Sequence, residues 1–165
     1  MTEQLTTLEQ LLDFKLGAAL TMERDVLKLL GELEQAAQHR QVKELLTEHA
    51  GETRQQAGNV ERCLEMLGQA GKDQPCPVSK AMAEEVRSVL GQADKGLADA
   101  VILAGALATE HHEVAVYETL VMMASVLGAR QVVELLEENL GQEEAARDKV
   151  KKLALQLAES AAGEE

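Results

Sequence analysis

The sequence predicts an all-α fold: a four-helix bundle with one long crossover that carries a short extra helix. Three observations predict it. Apolar residues recur at steps of three and four, and no period-two alternation survives more than a few residues. Only 2 prolines occur in 165 residues, and both fall in one interruption, Gly68-Gln-Ala-Gly71-Lys-Asp-Gln-Pro75-Cys-Pro77. The β-branched runs between turn signals that a sandwich or a doubly wound sheet requires are missing.

The first stripe runs from Thr7 to His39 on Leu8, Leu11, Leu12, Leu16, Ala19, Leu20, Val26, Leu27, Leu30 and Leu33, and lapses at the polar Gln38-His39-Arg40. A second follows on Val42, Leu45, Leu46, His49, Glu52, Gln56, Val60, Cys63, Leu64 and Leu67. It stops at Gly68–Pro77, because glycine ends helices and proline cannot continue one. Ser79 reads as the N-cap of a short helix reaching about Leu90, and Gly91–Gly96 is a weaker joint. The third long stripe is Leu97, Val101, Ala104, Leu107, Glu110, Val114, Tyr117 and Val121, ending near Gly128. The fourth is Val133, Leu136, Leu140, then Glu143 or Glu144, Val150, Leu153 and Leu155. Short links join one to two and three to four, so the long connection lies in the middle, as in a bundle with a single crossover. One domain over residues 1–158 is expected, with 159–165 as a frayed tail.

Composition narrows the function. With 16 Lys+Arg against 29 Asp+Glu the formal charge is −13, which repels nucleic acid and anionic membrane surfaces. Tyr117 and Phe14 are the only aromatic residues of their kinds and tryptophan is absent, which removes base-stacking and aromatic-cage recognition. Cys63 and Cys76 lack zinc-site spacing. The sequence has no run of about 18 apolar residues, the length needed to span a bilayer, and the N-terminus lacks the basic and apolar regions of a secretory signal. A cytoplasmic protein with reduced thiols is expected.

The informative residues are the charges that interrupt the apolar stripes. Glu23 lies three after Leu20 and four before Leu27. His49, Glu52 and Gln56 continue the spacing of Leu45 and Leu46. Glu110 stands between Leu107 and Val114, with His111 and Glu113 close to that face, and Glu143 and Glu144 fall three and four after Leu140. Singly, each has an ordinary reading: a solvated glutamate, a hydrogen-bonded histidine, a polar patch. Together they place a carboxylate near the middle of every long helix on its core side, where unpaired charge is costly. Two metal ions neutralise such a cage, and oxygen ligands with a few imidazoles favour iron or manganese over zinc. Glu23, Glu52, Glu110 and one of Glu143 or Glu144 form the expected carboxylate frame, with His49 and Glu113 as further ligands and His111 as a supporting neighbour. The alternative is a metal-free acidic module for helical interaction or dimerisation.

At these same residues the chain resembles the bacterial ferritin-like stress proteins of the YciE/YciF type, from about Leu12 to Leu157. The resemblance is carried by Glu23, by His49-Ala-Gly-Glu52-Thr53 with Val60-Glu61-Arg62, by Glu110-His111-His112-Glu113-Val114-Ala115-Val116-Tyr117, and by Leu140-Gly-Gln-Glu143-Glu144-Ala-Ala-Arg147-Asp148. The third segment, similar to a Glu-His-Tyr-Glu-x-x-x-Tyr pattern, is the most specific. Leu20 and His112 depart from it, standing where members often carry tyrosine. The resemblance implies a ferritin-like bundle with a short extra helix in the crossover, a homodimer, a di-iron centre and a loose tie to stress responses; a di-iron carboxylate site would in turn be expected to carry oxidoreductase chemistry toward oxygen or peroxide.

Overall fold

A computed structural model describes residues 4–163. The long helices are α1 (Leu8–Ala36), α2 (Arg40–Met66), α4 (Ala98–Val126) and α5 (Arg130–Gly163), and α3 (Pro77–Gln92) lies in the crossover. A 3-10 turn, Lys95–Leu97, leads into α4. Among the described residues there is no strand, and no helix is long and apolar enough to cross a membrane. The expected all-α bundle with a short crossover helix is the observed one.

Local chemistry sets the ends. Thr7 caps α1 in a capping box: its side chain accepts from the Gln10 N–H while the Gln10 side chain accepts from the Thr7 N–H. The α1–α2 link is held from across the bundle, where the Asp99 carboxylate accepts the backbone N–H groups of Gln38 (2.8 Å) and His39 (2.9 Å). Gly128, at φ +71°, turns α4 into α5 in a left-handed conformation that a side chain would strain. α3 packs on α4 where Gly105 leaves no Cβ; one built there would come 2.4 Å from Val86 Cγ2.

Each long helix turns a heptad seam inward: Leu12, Leu16, Ala19, Glu23, Val26, Leu30 and Leu33 on α1; Val42, Leu46, His49, Thr53, Gln56, Val60 and Cys63 on α2. The α4 seam is Leu103, Ala106, Glu110, Glu113, Tyr117, Leu120 and Ala124, and the α5 seam is Val132, Leu136, Asn139, Glu143, Ala146, Val150 and Leu153. Alternating steps of three and four keep these residues facing one another along helices crossing at shallow angles. The polar members fall at mid-length on all four helices, so apolar layers lie on either side of a polar tier.

Three expectations are corrected. The short helix starts at Pro77, a favoured first helical position, so Ser79 is inside it rather than capping it; its buried hydroxyl donates to Asp25 Oδ2 at 2.7 Å, fastening α3 to α1. On α4 and α5 the expected stripes coincide with the inward seam at Glu110, Tyr117, Leu136, Glu143, Val150 and Leu153 but depart from it elsewhere. Leu97, Ala104 and Leu155 are exposed and Val133 and Leu140 only partly buried, because flanking apolar residues compete with the true seam when period alone is read. α5 continues to Gly163, past the expected limit at residue 158, while Glu164 and Glu165 of the expected tail lie outside the described residues.

Candidate metal centre

The seams bring four side chains from three helices together. His49 of α2, Glu110 and Glu113 of α4, and Glu143 of α5 each offer a ligand atom, and these atoms lie within 4.8 Å of one another. All four are buried. The i, i+3 spacing of Glu110 and Glu113 sets both carboxylates on one face of α4. His49 Nε2 lies 3.0 Å from Glu110 Oε1, and its Nδ1 lies 3.2 Å from Glu52 Oε2. Glu23, fully buried on α1, accepts a hydrogen bond from the Tyr117 hydroxyl, and its charge is felt by both Glu113 and Glu143.

Of the expected ligands, Glu23, His49, Glu110, Glu113 and Glu143 are therefore at one depth in the bundle. Glu144 is exposed, so Glu143 is the residue of that pair that points inward. His111 is exposed and supports nothing in the interior. Glu52 is outside the four-residue cluster, at the rim with 27% of its side chain exposed. The α2 seam position is Thr53, whose hydroxyl donates to the His49 carbonyl at 2.9 Å; Glu52, one residue earlier, is turned about 100° around the helix and reaches the centre only through the outer face of the imidazole.

Burial dominates the electrostatics. It raises the Glu113 carboxyl well above its usual range, with the charges of Glu143, Glu23 and Glu110 adding to it. Burial likewise carries Glu143 to about 10, with the neighbouring Glu110 carboxylate adding to the rise. Glu23 rises to about 8 by burial, against the Tyr117 hydrogen bond. For His49 burial is the largest influence and favours the neutral ring, yet Glu110 and Glu52 together outweigh it and bring the imidazolium to about 10. Hydrogen bonding to His49 lowers Glu52.

Hydrogen bonding leaves the cluster incomplete. Glu23 Oε2, Glu110 Oε2, both oxygens of Glu113 and both of Glu143 are buried with no hydrogen-bond partner. Buried polar atoms in folded proteins are nearly always paired, so this donor set calls for protons or cations. Carboxylates with one imidazole are hard donors of the kind that suit iron or manganese, and the residues present fit such ions.

A polar ladder next to the cluster escaped the sequence reading. The Tyr117 hydroxyl accepts from Asn139 Nδ2 at 3.1 Å, and Asn139 Oδ1 accepts from Asn59 Nδ2 at 2.8 Å. Asn139 was findable: it stands three after Leu136 and four before Glu143, in strict register with the inward carboxylate.

Comparison with known proteins agrees with this architecture. A family model described as a domain of unknown function, DUF892, matches residues 7–163. Protein YciF of Escherichia coli strain K12 is 28% identical over 151 residues, 90% of this chain and 91% of that protein. YcfI from Rhodopseudomonas palustris superposes with a TM-score of 0.88 at 33% identity, covering 92% of this chain and 97% of that one. The crystal structure of the E. coli stress protein YciF superposes with a TM-score of 0.86 at 26% identity, covering 92% and 96%. The chain belongs to the DUF892 family and is a YciF-like protein, as its resemblance to the YciE/YciF-type stress proteins implies.

Proposed function

We propose that the protein is a di-metal carboxylate protein of the YciF-like stress class, holding two iron ions, or manganese in their place, at the middle of the bundle. The observation that carries this reading is the set of six buried carboxylate oxygens without hydrogen-bond partners in Glu23, Glu110, Glu113 and Glu143, beside the buried imidazole of His49. His49, Glu110, Glu113 and Glu143 would form the core of the ligand set, with Glu23 closing it from α1. Bound iron supplies ferrous–ferric cycling, and with it electron transfer to dioxygen or peroxide. The protein supplies the rest. Burial keeps bulk water from the donor atoms, Tyr117 orients Glu23 by donating to it, and Glu52 orients the imidazole from outside. Pairing of two copies belongs to the same reading, through the family resemblance.

Anaerobic titration with ferrous ion tests it, read by metal analysis, thermal melting and tyrosine emission. Tyr117 is the single tyrosine and tryptophan is absent, so emission reports directly on a residue bonded to Glu23. Binding of two ions per chain, a raised melting temperature and altered emission are expected, since a ligand that binds only the folded state must stabilise it. Less than one ion per chain with an unmoved melting temperature refutes the reading. One observation favours the metal-free interaction module instead: His49 lies between Glu52 and Glu110, so its imidazolium pairs with both carboxylates without any metal ion. That module would be indifferent to ferrous ion and to chelators.

A further inference from the structure

The bundle has four lateral faces, since the long helices pack in the cyclic order α1, α2, α5, α4. Two faces are closed by helices that a short link holds together, α1 with α2 and α4 with α5. α3 roofs the α1–α4 face: Val86 seats on Gly105, Ser79 donates to Asp25, and Arg87 pairs with Glu32 at 2.6 Å. Among the described residues no helix lies over the α2–α5 face. Its cover consists of polar side chains: Gln142 donates to Gln55 at 3.2 Å, Gln55 donates to Glu138 at 2.7 Å, and Lys149 pairs with Glu48 at 2.8 Å.

Beside the Glu48–Lys149 pair this face has a narrow depression lined by Leu45, Glu48, His49, Glu52, Ala146 and Lys149. Ala146, the inward residue of α5 at this level, offers only a methyl group to fill it. His49 is both the floor of the depression and a wall of the polar tier: Nδ1 faces Glu52 at the rim and Nε2 faces Glu110 inside. One imidazole ring therefore stands between solvent and the unpartnered oxygens of Glu110, Glu113 and Glu143. The depression holds about one water molecule, so anything larger passes only as His49 and Glu52 turn aside. Two carboxylates, Glu48 and Glu52, face one ammonium, Lys149, whose charge reaches both, and the mouth is left with a net negative charge. A cleft lined by one sign of charge concentrates ions of the other sign and speeds their entry. Carboxylates at its rim are hard donors of the kind that suit a hydrated divalent cation.

We infer that this depression is the port through which a hydrated divalent cation reaches the polar tier, with Glu48 and Glu52 drawing the ion in and Lys149 moderating that pull. The inference rests on the metal centre proposed above and adds its route of loading. Glu48 and Lys149 are 59% and 48% exposed and stand outside the ligand set, so their part lies in the rate of entry and not in the number of ions held. Entry from an end of the bundle, or beneath α3, would be indifferent to both residues.

Stopped-flow mixing of the chelator-treated full chain with manganous ion tests it, read by Tyr117 emission, with metal analysis at saturation and circular-dichroism melting to verify folding. Lys149→Met deepens the negative charge of the mouth and Glu48→Gln abolishes it. Glu65→Gln, exposed on α2, is the control: it removes one charge about 25 Å further along the helix. For a divalent ion passing about 7 Å from one unit charge in water, the expected change in uptake rate is about sevenfold at low salt. Uptake should be faster in Lys149→Met and slower in Glu48→Gln, and both differences should shrink as salt is raised. Glu65→Gln should load as the wild type does, and all four proteins should hold the same number of ions at saturation. A rate that fails to move in the stated direction in either variant overturns the port and leaves the metal centre intact. Fewer ions held at saturation by Glu48→Gln or Lys149→Met also overturns it, because that residue then belongs to the site itself. A wild type that takes up no ion overturns the metal centre and the port together.

Discussion

Glu113→Gln separates the cost of the polar tier from its use. The substitution keeps the shape of a side chain that is 0% exposed, with both oxygens unpartnered, and removes its ability to ionise. In the unfolded chain this carboxyl ionises near 4.5, whereas in the fold burial and the neighbouring Glu143, Glu23 and Glu110 hold it well above that value. A folded carboxyl with a raised pKa contributes its stability below the unfolded pKa and loses it as pH rises toward the folded one. Each pH unit in that window costs the metal-free protein about 1.4 kcal/mol, so the loss over the 2.5 units between pH 4.5 and 7 is at most about 3.5 kcal/mol from this residue. For a chain of this size that corresponds to about 10 °C in melting temperature. Melting of chelator-treated wild type and Glu113→Gln at pH 4.5 and 7 reads the difference directly. The variant should gain on the wild type by up to that amount as pH rises. Added ferrous or manganous ion should reverse the order, stabilising the wild type and leaving the variant with at least tenfold weaker binding. Melting curves that stay parallel from pH 4.5 to 7, or equal metal affinity in the two proteins, refute the reasoning.

Further outcomes follow from other parts of the molecule. Tyr117→Phe removes the hydrogen bond to Glu23 and leaves Asn139 Nδ2 without that acceptor; a loss of about 1–3 kcal/mol is expected in denaturant unfolding, with weaker metal binding in the same titration. The two cysteines should react unequally with a disulfide reagent at pH 7.5. His112 brings the Cys76 thiol down to about 7, while burial pushes Cys63 up to about 12, so one thiol equivalent reacts quickly and the second only on unfolding. Gly105→Ala forces a methyl group against Val86 and should cost about 1–3 kcal/mol, measured by thermal melting, without changing metal stoichiometry.

The bundle was legible because heptad spacing and one Gly/Pro interruption leave few alternatives, and Glu23, Glu110 and Glu143 stand out as charges in apolar surroundings. Glu52 misled because a one-residue offset rotates a side chain about 100°, and an inconspicuous threonine, Thr53, holds the inward position beside it. Glu143 and Glu144 could not be separated from spacing to Leu140, since Leu140 itself flanks the seam; Leu136 and Asn139 select Glu143 once the register is known. Cys76 was legible as a free thiol, but its depressed pKa depends on His112 arriving from another helix, which no local pattern encodes.

The polar tier at mid-length reverses the usual gradient of order along a helix. Hydrocarbon layers grip each of the four long helices on both sides of a waist where six buried carboxylate oxygens lack hydrogen-bond partners. In the absence of metal, amide exchange should be slowest toward the two gripped zones and fastest near Glu23, His49, Glu113 and Glu143. A cation seated there would act as a girdle, drawing the waist closed and joining two zones that otherwise breathe separately.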